Sequence, residues 1–234
     1  MRSRSVFSRL ALTLCLAAGV SAGVSAPRLE AREIKGSVLL LAKGGKIVDK
    51  SAEVKNAVVI WRPAVPVKGV STNRTFTMAT HQKEFEPRVL TIPVGASVAF
   101  GNADPILHNA FSVSAGNRFD LGLARKGVGK SWTFKSPGLV RVFCNVHHSM
   151  VGYIWVLDTP FSTMPDAAGN FTLTGLPEGA GTLEVWHEQT ELWSETFKNL
   201  PHEAVGAKLE VTRPRVPSHV NKLGQSYNQH GDSY

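Results

Sequence analysis

Cys144, His147 and Met150 put a thiol, an imidazole and a thioether into one short stretch, Phe143-Cys144-Asn145-Val146-His147-His148-Ser149-Met150. A second imidazole, His108, lies in Asn102-Ala103-Asp104-Pro105-Ile106-Leu107-His108-Asn109. Two imidazoles and one thiolate in a plane, with a weak axial thioether, form a mononuclear copper site suited to electron transfer. Soft sulfur holds Cu(I), and imidazole suits both oxidation states. Zinc more often gathers several cysteines or histidines and no thioether. A Cys-His protease pair needs a base that faces the thiol and an oxyanion hole. Cys144 and His147 share one loop, which suits chelation better. The chain has no C-x-x-C-H haem motif and no Gly-rich phosphate loop leading from a strand into a helix.

The cysteine inventory sharpens this reading. There are two, Cys15 and Cys144. Residues 1–22 read as a secretory signal, with Arg2, Arg4 and Arg9 as its basic start and Leu10–Val20 as its apolar core. Cleavage after Ala22 fits the small-residue rule, and cleavage after Ala31 is the alternative. Cys15 then leaves with the signal. Cys144 remains alone in an oxidising compartment, where it is an inert buried thiol, a metal ligand or a nucleophile. Its neighbours favour the metal ligand. No later stretch is long and apolar enough for a membrane helix, so the mature protein is expected to be soluble and periplasmic. Losing residues 1–22 removes three arginines and no acid, which takes the net charge from +8 to +5. A mildly basic surface of that size serves solubility or meets an acidic partner.

Helical periodicity is nearly absent. Short runs rich in Val, Ile, Thr, Phe and Trp recur between Gly, Pro, Asn and Asp, which predicts an all-β sandwich protein. Expected strands are 33–41, 56–62, 74–80, 88–92, 96–101, 131–135, 139–143, 152–157, 170–174, 181–187 and 207–211. Ser136-Pro137-Gly138 is expected to close a hairpin between 131–135 and 139–143. His108 follows one strand and Cys144 another, and loops at one end of a sandwich lie side by side, so the two can meet. After Arg213 the chain is polar and carries Pro214 and Pro217, so 213–234 reads as a flexible tail.

Residues 85–158 resemble the cupredoxins. Phe85-Glu86-Pro87-Arg88-Val89-Leu90-Thr91-Ile92, then Gly95, Val98, Phe100, Asn102 and Asp104, look like the approach to the first copper histidine. His108-Asn109 matches the usual His-Asn pair, and the C-x2-H-x2-M spacing is similar to amicyanin. The resemblance implies His108, Cys144 and His147 as copper ligands with Met150 axial. It also implies that Asn109 ties the two ligand loops together. Amicyanin-like loops usually carry proline where His148 stands, so His148 is an alternative ligand to His147, with spacing in favour of His147. Asp104–Val113 and Asn117–Leu123 also resemble secreted bacterial proteins of the methylamine utilization, plastocyanin-like type.

The flanking blocks resemble a carboxypeptidase regulatory-like, transthyretin-type sandwich. Asp166-Ala167-Ala168-Gly169-Asn170-Phe171-Thr172-Leu173, Gly175-Leu176-Pro177-Glu178-Gly179 and Thr182-Leu183-Glu184-Val185 carry its later part, and Gly36-Ser37-Val38 and Ala57-Val58-Val59 its opening. The expected organisation is a cupredoxin Greek-key sandwich at 69–158, set into a smaller discontinuous sandwich made of 33–68 and 159–212.

These readings predict a monomeric one-electron carrier that docks a redox protein, a cytochrome or a dehydrogenase. Pro105, Ile106, Val146 and Val151 would ring the exposed edge of His147. The basic loop of Arg125, Lys126 and Lys130 suits an acidic partner. Copper binding and delivery without redox turnover is the alternative, and an adhesive outer module a third. Neither an enzyme nor nucleic-acid binding is expected, for want of an open substrate position and of an aromatic-basic platform. His81, His187 and His202 read as ordinary histidines. His219 and His230 at most suggest a weak metal site in the tail.

Overall fold

The structure is a computed structural model, and it describes residues 32–48, 51–67 and 72–227. The segment read as a secretory signal, the end of the tail and His230 lie outside the described residues.

The first outer block holds β1 (Glu33–Leu41), a helical turn α1 (Ser51–Val54) and β2 (Val58–Pro63). The central block holds β3 (Thr75–His81), β4 (Glu84–Glu86), β5 (Val89–Pro93), β6 (Ser97–Asn102), β7 (His108–Ser112) and β8 (Phe119–Ala124). It continues with β9 (Ser131–Thr133), β10 (Gly138–Phe143) and β11 (Val151–Leu157). The second outer block holds β12 (Ser162–Thr163), β13 (Asn170–Thr174), β14 (Gly181–Trp186), β15 (Trp193–Phe197) and β16 (Val205–Glu210). The protein is all-β.

Four sheets result: β13-β1-β16, β12-β2-β14-β15, β5-β11-β10-β7-β8 and β4-β3-β6-β9. Side-chain alternation explains how they stack. In β2, Val59 and Trp61 point into a core shared with Ile34, Val38, Phe171, Leu183 and Leu209. Val58 and Ile60, on the opposite face, join Trp186 against Val151, Tyr153, Trp155 and Leu157 of β11. The other face of β11, with Ile154 and Val156, packs on Met78, Phe100, Val140 and Val142. Both β2 and β11 therefore read as continuous apolar runs because each is covered on both faces. Among the described residues four sheets stack, with three apolar layers between them.

The first and last blocks are joined by hydrogen bonds. β1 pairs antiparallel with β13 and parallel with β16, while β2 pairs antiparallel with β12 and β14. The backbones meet closely at Gly36, where a Cβ would stand 2.2 Å from the Val205 carbonyl oxygen and 2.5 Å from the Phe171 ring. Only glycine fits there.

The segment 131–143 departs from expectation. β9 pairs with β6, whereas β10 pairs with β11 and β7, so the Ser136-Pro137-Gly138 turn carries the chain from one sheet to the other and closes no hairpin. Phe134 is the cause. Its ring is fully buried between the sheets, edge-on to Phe119 at 5.8 Å, while its carbonyl accepts from Gly95 N–H. The run 213–227 holds no strand, and the composition-based reading of it as flexible did not anticipate where it lies. Val216 packs on the apolar layer of β11, and His219 lies on Phe143.

Candidate metal centre

The ligand loop is built by the β10–β11 hairpin. Phe143 faces Val151 in register, so Cys144 to Met150 must close the gap within a single turn, tightened by a Met150 N–H bond to the His147 carbonyl at 3.0 Å. The second contribution comes from β7, antiparallel to β10 through Phe143 and Phe111, whose first residue is His108. Adjacent strands of one sheet thus deliver both.

Cys144 Sγ lies 3.8 Å from His108 Nδ1 and 3.8 Å from His147 Nδ1. The three donor atoms all fall within 4.8 Å of one another. Cys144 is fully buried and His108 nearly so, and His147 is half-buried. Metal bonds of about 2.0–2.3 Å to nitrogen and sulfur place neighbouring donors roughly 3.6–3.8 Å apart at trigonal to tetrahedral angles. The observed spacing fits that requirement.

The orientation of His108 has a visible cause. Its Nε2 lies 2.8 Å from Asp104 Oδ2, so the carboxylate accepts a hydrogen bond from Nε2–H, which leaves the Nδ1 lone pair facing Cys144. Asp104 is itself fixed. The N–H groups of Gln82 and Lys83 donate to it at 2.7 and 3.0 Å. Those two residues form the β3–β4 turn with φ of 52° and 58°, a left-handed pairing that non-glycine residues rarely adopt. The Lys83 N–H holds the Asp104 carboxyl below the usual carboxylate range against its own burial, and Gln82 and His108 add to the effect. Asn102 folds the connection, accepting from Thr80 Oγ1 and Asp104 N–H and donating to the carbonyls of Ile106 and Ala124.

Asn109 joins the two loops. Its N–H donates to Cys144 Sγ at 3.4 Å, and its Oδ1 accepts from Asn145 N–H at 3.4 Å. Its Nδ2 donates to Asp120 Oδ1 and to the Gly122 carbonyl. The seat for that amide is a bulge, where the β7–β8 register shifts between Asn109 and Phe111 and Gly122 takes φ 73°. Burial pushes the His147 imidazole below its ordinary pKa.

The remaining candidates are placed as follows. Met150 is buried in the same apolar cluster as Cys144. His148 is exposed, outside the three-atom group, with its ring 3.6 Å from that of Tyr227. His81 is exposed beside Glu86, and His202 is exposed. His187 is fully buried with Nε2 near the Glu53 carbonyl. Arg125, Lys126 and Lys130 are exposed, as are Pro105, Ile106 and Leu107. Val151, expected on the surface, is buried between sheets, because the outer sandwich covers that face of β11. Sequence reasoning gave no role to Asp104, Asp120 or Asn102 in holding the site. The available signal was an Asp four residues before His108 in a strand-to-strand connection.

No family model matches the chain, and no curated protein matches it. Solved structures similar to part of it include cupredoxins. A purple cupredoxin from Nitrosopumilus maritimus is 24% identical, with 35% of this chain and 98% of that one covered and a TM-score of 0.31. A reduced amicyanin mutant is 20% identical over 44% of this chain and 99% of its own, with a TM-score of 0.34. A Cu(I) amicyanin mutant is 20% identical over 37% and 85%, also at 0.34.

Proposed function

We propose that this chain is a secreted, periplasmic one-electron carrier that holds one copper ion through His108, Cys144 and His147, with Met150 as axial ligand. The observation that carries the reading is the buried Cys144 sulfur facing two imidazole Nδ1 atoms at 3.8 Å each. The bound ion supplies a Cu(I)/Cu(II) couple. The protein's part is to hold the donors still. Asp104 turns Nδ1 of His108 inward, and Asn109 fastens Asn145 and the sulfur to β8. Donors held this way from outside keep one arrangement through a change of charge, which keeps the reorganisation on electron transfer small.

The half-buried edge of His147 is the natural point of electron exit. Ile106 and Leu107, just before His108, and Leu123, paired with Asn109, are exposed and offer apolar contact area. Arg125, Lys126 and Lys130 suit an acidic redox partner, a cytochrome or a dehydrogenase. A small transient interface of that kind weakens as salt rises. The outer sandwich of β1, β2 and β12–β16 serves as a support into which the copper-binding sandwich is inserted.

The test is the visible absorption spectrum of the protein with one equivalent of Cu(II). An intense thiolate-to-copper band that disappears in Cys144→Ser supports the reading. Bound copper without that band overturns it and leaves copper storage or delivery as the function.

A further inference from the structure

The segment that follows the last strand touches the ligand loop at one residue after another. His219 lies flat on Phe143, with ring centroids 4.0 Å apart and planes 2° from parallel. The N–H of Lys222 donates to Asn145 Oδ1 at 3.3 Å. The Tyr227 ring covers His148 at 3.6 Å. Phe143, Asn145 and His148 flank Cys144 and His147, so each side of the ligand pair is held from outside by a different residue of this strap. Lys222 reaches further, since its Nζ pairs with Asp120 at 2.9 Å. Asp120 accepts from Asn109, whose own N–H reaches Cys144 Sγ. One chain of hydrogen bonds therefore runs from the strap to the sulfur.

The closed position is only weakly held. The Tyr227 hydroxyl and His219 Nε2 are both enclosed with no hydrogen-bond partner among the described residues. A polar atom in that condition favours a state in which water reaches it. Burial also pushes the Tyr227 phenol up to about 12. The Lys222–Asp120 pair is more than a third exposed on both sides and is screened by solvent. Stacking of two rings and the contacts of Lys222 thus work against two unsatisfied polar atoms, which leaves the closed form favoured yet able to open locally.

We propose that residues 214–227 form a strap that opens and closes over the outer side of the ligand loop, and that its opening sets how fast the loop moves outward to exchange its metal ion. The metal-exchange half rests on the copper-binding reading above, whereas the loop-holding half does not.

The experiment uses the full chain in a Cys15→Ser background, without metal, and follows amide hydrogen exchange of residues 143–150 by mass spectrometry. His219→Ala/Tyr227→Ala removes both stacks and should speed loop exchange by roughly tenfold, with peptides of β1 and β2 unchanged. Tyr227→Phe keeps the stack and removes the unpaired hydroxyl, so it should slow loop exchange. A merely structural contact would not give these opposite signs. Loop exchange within twofold of the parent in the alanine variant, or an equal rise across the whole molecule, overturns the strap. Loss of Cu(I) to excess chelator should follow the same order of variants. Loop exchange that moves as expected while no form binds copper would support the strap and refute the copper reading.

Discussion

Asp104→Asn separates holding a turn from aiming a ligand. The carboxylate accepts Gln82 N–H on Oδ1, and Lys83 N–H and His108 Nε2–H on Oδ2. Asparagine keeps the shape but has one acceptor oxygen and no charge. With that oxygen in the Oδ2 position, Lys83 and His108 keep partners, but the new NH2 faces the Gln82 N–H donor to donor. Two charge-assisted bonds then become neutral, at about 1 kcal/mol each, and one part-buried donor is left unpaired, at about 1 kcal/mol, the low end of the range for such a group. The metal-free protein should therefore lose roughly 3 kcal/mol by urea denaturation. The other orientation, with oxygen at Oδ1, strands His108 and frees its ring to turn. Either way the Nδ1 lone pair is less firmly aimed at Cys144, and metal affinity should fall about 10–100-fold, the usual cost of losing an outer partner. Competition against a chromophoric chelator at neutral pH reads that loss. Affinity within twofold of the parent, alongside the expected destabilisation, would show that Asp104 holds the β3–β4 turn and has no part in orienting His108.

Three further outcomes follow from particular contacts. Glu188, with its side chain 2% exposed, receives Arg88 through both oxygens at 2.7–2.9 Å, so Glu188→Ala should cost about 3 kcal/mol in denaturant, because it leaves a largely buried guanidinium without its counter-charge. Gly36→Ala drives a Cβ into the Val205 carbonyl and the Phe171 ring, and a loss of at least about 1–3 kcal/mol by thermal unfolding is expected even with local shifts. His187 has its pKa lowered by burial, against the pull of Glu188 and Glu53 and with help from Arg88. Its neutral form contributes stability above the ordinary histidine pKa, and that contribution fades as pH falls through the lowered value. Urea midpoints should therefore drop between pH 7.5 and 5, less steeply in His187→Gln, and an identical slope in that variant would refute the assignment.

The grouping of His108, Cys144 and His147 was legible because their chemistry is local. Cys144 and His147 fall within one turn, and only the position of His108 needed the fold. Most strands were legible as alternating or continuous apolar runs, while β4, β12 and β15, and the two that matter for the site, β7 and β8, were not. In β7 and β8, His108, Asn109, Asp120 and Gly122 interrupt the apolar pattern because they serve the site and the bulge beside it. The 131–143 hairpin failed for a different reason. A Ser-Pro-Gly turn looks the same whether it joins partners in one sheet or crosses between two, and the choice is made by Phe134 finding Phe119 across the core. The outer-shell role of Asp104 was invisible for the same cause, since two of its three partners lie on a turn some twenty residues upstream in sequence.

The stacking of four sheets bears on the site itself. β11 runs directly from Met150, and in a lone sandwich one of its faces would meet water. Here Val58, Ile60 and Trp186 cover that face, and Arg88, locked to Glu188, also donates to the Val151 carbonyl at 3.2 Å. The first residue of β11 is thus pinned by an arginine on the central sandwich and a glutamate just after β14 on the outer one. Strands covered on both faces are the last to open locally. The ligand loop therefore has one rigid end at Met150–Val151 and one side, under residues 214–227, held by ring stacking and by the solvent-screened contacts of Lys222. A loop with that asymmetry would bend by lifting its Asn145–His148 side away from His108, with Met150 as the fixed point.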